Sequence, residues 1–146
     1  MAPRRRAAIA IYLVHAAVSL GFAGRYALPD TILPYHAEAL GMNTEELPET
    51  VRVLILALMD VAAAGWLALA VVVAALALGP VARGDRMARW LVPAAILIFY
   101  VPTLLATLQV LRGTPADPPW QGAAAACVMA LVALALDAPW SRRGAA

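Results

Sequence analysis

Four long apolar stretches, separated by short segments rich in proline, glycine and charge, leave this chain few ways to fold. It is 64% hydrophobic over 146 residues, with a mean hydropathy of +0.80, whereas soluble globular domains are about 45–50% apolar. No water-soluble core of this size absorbs that excess. Stretches of about 20 apolar residues match the thickness of bilayer hydrocarbon when coiled as helices, and a helix satisfies its backbone hydrogen bonds internally. The sequence therefore predicts an all-α integral membrane protein, a single transmembrane domain over residues 1–146, with spans at about 7–28, 51–78, 90–111 and 121–138.

Charge sets the expected order of these spans across the membrane. Every basic side chain other than the two histidines is arginine, and most of the arginines fall at alternate span ends. Arg4, Arg5 and Arg6 precede the first span, Arg83, Arg86 and Arg89 separate the second from the third, and Arg142 and Arg143 follow the fourth. By the positive-inside rule these are cytoplasmic ends. The expectation is an antiparallel four-helix bundle in a bacterial inner membrane, with both termini inside and the lipid bilayer as its main partner. The formal charge of +2 then reflects topology and headgroup contacts rather than nucleic-acid binding.

Details along the chain refine this outline. A basic start and an apolar run also fit a cleaved signal peptide, but the run continues too far for one and is interrupted by Tyr12, His15 and Ser19, which favours a retained anchor. Residues 29–50 form the outside loop, in which Tyr35 to Leu40 is expected to make a short helical turn ended by Gly41, with Asn43 or Thr44 capping the turn before Glu46. The second span exceeds the bilayer core, so it tilts or leaves an interfacial first turn carrying Arg52. Pro102, inside the third span, is expected to kink the helix or free a carbonyl. Trp90, Trp120 and Trp140 fall at span ends, as interfacial aromatics do. The small side chains of the fourth span allow close helix approach, and Cys127 within it reads as a packing residue.

Asp60 is the most unusual residue, an acid with apolar neighbours inside the second span. An ionisable group there is costly and is expected to face the bundle interior. Counting 1.5 Å per residue from the span ends puts Asp60 roughly 13 Å below the outer surface and His15 roughly 12 Å above the inner one, with Tyr100 at the same height. Tyr12, His15, Ser19, Phe22 and Tyr26 share one face of the first helix, and Tyr100, Thr103 and Thr107 one face of the third. Together they predict a polar track leading from the outer surface to a layer of His15, Asp60 and Tyr100, with Ser19 and Thr103 beside it. This layer is either a proton-handling or ligand site or a structural cluster fixing helix register. His36 reads as a solvated loop residue, and no cofactor or metal site is expected. Arg25, Arg52 and Arg112 form an outer rim that pairs with loop acids or lipid phosphates, or snorkels at span ends.

The stretch from Leu33-Pro34-Tyr35-His36 to Leu40-Gly41-Met42, followed by a span carrying an acid, resembles small four-helix bacterial membrane proteins of the DoxX-like kind. The resemblance is one of general shape, carries over no functional residue, and implies a membrane or accessory role. The leading expectation is a structural or accessory component of a membrane complex, partnered by another membrane protein or a second copy; whether the chain is an enzyme is left open, with the balance against it. The alternatives are a protein that binds a small quinone-like ligand or transfers protons through His15, Asp60 and Tyr100, and a small transporter or channel.

Overall fold

A computed structural model describes residues 2–141, so Arg142 and Arg143 lie outside the described residues. Among the described residues the regular structure is all helical, with no strand. Helix α1 spans Pro3–Ala27, the short α2 Pro34–Leu40, α3 Glu49–Leu76, α4 Arg86–Gly113 and α5 Trp120–Asp137. Four of these, all but α2, are long and apolar enough to cross a membrane. Their outward faces carry large apolar side chains, among them Val61, Ile98 and Leu105, at 70%, 75% and 62% exposure. Such surfaces suit hydrocarbon rather than water.

Helix α1 is the hub, packing along α3 on one side and α5 on the other, while α4 lies along α5 and meets α3 only sparsely. Its buried residues include Ala8, Tyr12, His15, Ser19 and Ala23 at three- and four-residue steps; of the expected shared face, Tyr12, His15 and Ser19 are buried and Phe22 and Tyr26 half-buried. On α5 the buried face is Ala123, Ala126, Ala130 and Ala133. Alanine there lets backbones approach closely, where dispersion rather than the hydrophobic effect holds helices together. Cys127 is half-buried and packs against this core.

Turn chemistry follows the sequence closely. Gly41 ends α2 in the left-handed conformation at φ 65°, and Asn43 caps the 3-10 turn Thr44–Glu46 reciprocally, its N–H donating to Glu46 Oε2 at 3.2 Å. Helix α3 outlasts its expected end, continuing through a π-helical turn at Ala77–Val81 that accommodates Pro80. Gly84 then turns the chain at φ 87°, where a Cβ would sit 3.0 Å from an Arg5 guanidinium nitrogen. Asp85 caps α4, its carboxylate accepting from Ala88 N–H at 2.7 Å. Helix α4 runs unbroken past Pro102, which has no N–H to offer the preceding turn.

Candidate functional site

The predicted polar layer forms only in part. His15 and Tyr100 meet edge to face with ring centroids 5.7 Å apart, and the Tyr100 and Ser19 hydroxyls lie 3.4 Å apart. All three are buried. Asp60 does not join them. It is exposed, forms no hydrogen bond or ion pair with a described residue, and borders a surface groove with Leu20, Ala23, Gly24 and Ala27 from the last turns of α1 and with Leu28 just beyond.

Unequal helix lengths explain the displacement. Val51, Ile55 and Leu56, in the first turns of α3, pack on Ile32, Ala37 and Leu47 of the segment that joins α1 to α3. A depth counted from Val51 therefore starts too high. The α3 residue level with Tyr100 is Trp66, whose ring lies 5.3 Å from Tyr100, 4.8 Å from Phe22 and 4.5 Å from Phe99. Sequence reasoning overlooked Trp66, although a tryptophan in mid-span, away from the interfaces where this residue gathers, was the available signal. Gly65 makes the packing possible, since a Cβ there would stand 3.3 Å from Phe99 Cε2.

Above this aromatic layer lies a cleft. It comprises two adjoining cavities of about 330 and 360 Å³ that share Tyr26, His36, Ala39 and Ala62. One runs toward α4, past Trp66, Phe99, Thr103 and Thr107; the other runs along α3, past Ile55, Leu58 and Met59. Neither His15 nor Tyr100 lines it, so the expected polar track stops at Trp66 and Phe99. Thr103 and Thr107 do line it, with their hydroxyls donating to the carbonyls of Phe99 and of Thr103 and Leu104 in their own helix. Their oxygens keep acceptor capacity toward the cleft.

Helix α2 supplies the roof. The Tyr26 and Tyr35 hydroxyls are hydrogen-bonded, and the His36 ring stands edge-on to Tyr35 at 4.2 Å and to Tyr26 at 6.4 Å. His36 is half-buried, not the solvated loop residue expected, and its Nδ1 is buried without a partner. Burial holds its pKa below the ordinary 6.5, so the ring is neutral at pH 7. Burial first, and the bond to Tyr26 second, push the Tyr35 hydroxyl up and keep it protonated. Two hydroxyls sharing one hydrogen bond leave one O–H free to donate, and a neutral imidazole offers one donor and one acceptor. No three His, Cys, Asp or Glu side chains converge among the described residues. What the cleft presents is ring faces and neutral hydrogen-bonding groups.

A second polar cluster lies at the arginine-rich end and was likewise missed. Asp137, buried at the end of α5, accepts from Arg89 Nε at 3.0 Å through both carboxylate oxygens, and Arg5 Nε is 3.5 Å from one of them. A carboxylate beside the carbonyls of a helix C-terminus is electrostatically unfavourable by itself. The two arginines offset it. They join the start of α1, the start of α4 and the end of α5, so part of the arginine pattern is a tertiary lock.

Of the outer rim, Arg52 pairs with Glu49 one turn earlier, while Arg25 and Arg112 are exposed and have no ion-pair or hydrogen-bond partner among the described residues. No protein-family model, curated protein or solved structure matches the chain.

Proposed function

We propose that this is a four-pass protein of the bacterial inner membrane, an antiparallel bundle with both termini inside, that binds a flat, apolar, ring-bearing molecule of the quinone class beneath α2. The observation that carries the reading is the cleft between Trp66 and the Tyr26–Tyr35–His36 roof. Its size falls within the roughly 300–1,000 Å³ of small-molecule sites, and its composition, apolar walls with a few convergent polar groups, is theirs as well. Trp66 and Phe99 offer stacking faces, and the spare Tyr hydroxyl hydrogen and the His36 imidazole suit a ring carbonyl or hydroxyl. The convergence of Arg5, Arg89 and Asp137 at one end supports the antiparallel arrangement, since it joins the starts of α1 and α4 to the end of α5.

Intrinsic fluorescence tests the binding. With Trp90, Trp120 and Trp140 replaced by Phe, Trp66 becomes the sole emitter, and a short-chain benzoquinone titrated into the reconstituted protein should quench it saturably. Tyr35→Phe and His36→Phe should each weaken the saturable component about tenfold, the loss of one buried hydrogen bond of roughly 1–2 kcal/mol. Quenching that is linear in quinone, and identical in wild type and both variants, would sink the assignment.

A second reading, an accessory subunit, is favoured by one observation: Asp60 lies on the outward face with no partner among the described residues.

A further inference from the structure

An exposed acid on an otherwise apolar helix face needs an explanation that the cleft does not supply. Asp60 lies in a groove of about 530 Å³ whose floor is small, Ala23, Gly24, Ala27, Ala63 and Ala64. On the other flank of α1 lies a second groove, about 420 Å³, lined by Val18, Gly21, Phe22, Arg25 and Pro119. Arg25 is one residue from Gly24, which borders Asp60, so the two charges share a depth while facing different ways. Neither has a partner within the described chain.

We propose that the outward face of α1 is a homodimer interface in which Asp60 of each copy pairs with Arg25 of the other. Symmetry carries the argument. Two copies inserted the same way are related by a two-fold axis along the membrane normal, which keeps every residue at its depth and brings the left flank of one α1 opposite the right flank of the other. The acid groove of one copy thereby meets the basic groove of its mate, twice over. A charge in hydrocarbon is costly alone and is retained where it finds a partner. Small residues line the axis. Ala17 and Gly21 are exposed and four apart, and a Cβ at Gly21 would have nothing within 4 Å, leaving room for two α1 backbones to approach closely. Val14 and Leu28, 49% and 81% exposed, continue the same strip.

Cysteine crosslinking and a charge swap test it in reconstituted bilayers. In a Cys127→Ala background, Gly21→Cys should give a disulfide-linked dimer under mild oxidation, whereas Leu105→Cys on the outward face of α4 should not. Asp60→Arg and Arg25→Asp should each lower the dimer fraction of the uncrosslinked protein, weakening association about tenfold or more, and the double variant should restore it. Thermal unfolding confirms that each variant remains folded. A wild-type protein that stays monomeric at high protein-to-lipid ratio overturns the proposal, as does equal crosslinking at positions 21 and 105. So does a double variant no better than the singles while all three remain folded. None of these outcomes bears on quinone quenching of Trp66.

Discussion

Arg89 holds Asp137 at three points: its Nε lies 3.0 Å from each carboxylate oxygen, and its Nη2 donates to the Asp137 backbone carbonyl. The carboxylate is wholly enclosed and the guanidinium nearly so. Removing one partner of such a pair strands the other, which typically costs about 3–5 kcal/mol. Arg89→Met and Asp137→Leu should each destabilise the protein on that scale, as measured by thermal unfolding followed by circular dichroism in detergent. The double replacement should cost clearly less than the sum, because neither partner strands the other and only the partly exposed Arg5 loses its counter-charge. Additive losses would show that the pair does not act as a unit.

Trp66 joins α1, α3 and α4 through its contacts with Phe22, Phe99 and Tyr100. Trp66→Ala should cost about 3–5 kcal/mol and open the floor of the cleft toward His15. Trp66→Phe should retain most of the stability. Unfolding of the two variants side by side checks the ranking.

Gly65 controls how near Phe99 comes to α3. Gly65→Ala asks the ring to give by a few tenths of an ångström and should be nearly neutral, whereas Gly65→Leu should cost about 1–3 kcal/mol through overpacking. Because Phe99 lines the cleft, Gly65→Leu should also reduce saturable quinone quenching. Equal tolerance of both substitutions would mean that the approach of α3 to α4 is not set here.

The roof should respond to acid. The pKa of His36 in the folded protein lies below its ordinary 6.5. The stabilisation that depends on a neutral ring is therefore fully present above about pH 6.5 and lost as pH falls through the lowered folded value. Ligand affinity and the order of α2 should fall together on acidification, and His36→Gln should flatten that dependence. Imidazole NMR signals assigned by comparison with His15→Gln would locate the titration directly.

Legibility from sequence divided along a physical line. Period and length are properties of one helix, so the spans, the buried face of α1 and the α2 turn ended by Gly41 could be read without knowing what packs on them. Relative depth belongs to a pair of helices. The level of Asp60 was misjudged because the first turns of α3 pack against Ile32, Ala37 and Leu47, a contact that no single-span pattern encodes. Asp137 was hidden for a related reason, since an acid at the end of an apolar run looks like ordinary punctuation until Arg89 is found beside it. His36 was misread because loop position implied solvent, whereas Tyr26 and Tyr35 close around it.

The sparse contact between α3 and α4 has a consequence for how binding is to be measured. The cleft is bordered by Leu58 on α3 and Ala106 on α4, both exposed on the faces that carry the apolar exterior. With the four helices crossing a bilayer as proposed, its mouth opens sideways, into the lipid. A ligand that partitions into the bilayer meets the protein in two dimensions, at a concentration set by its mole fraction among the lipids. Occupancy should then follow the ratio of ligand to lipid and remain unchanged when the aqueous volume is increased at constant lipid and ligand, provided nearly all the ligand is membrane-bound.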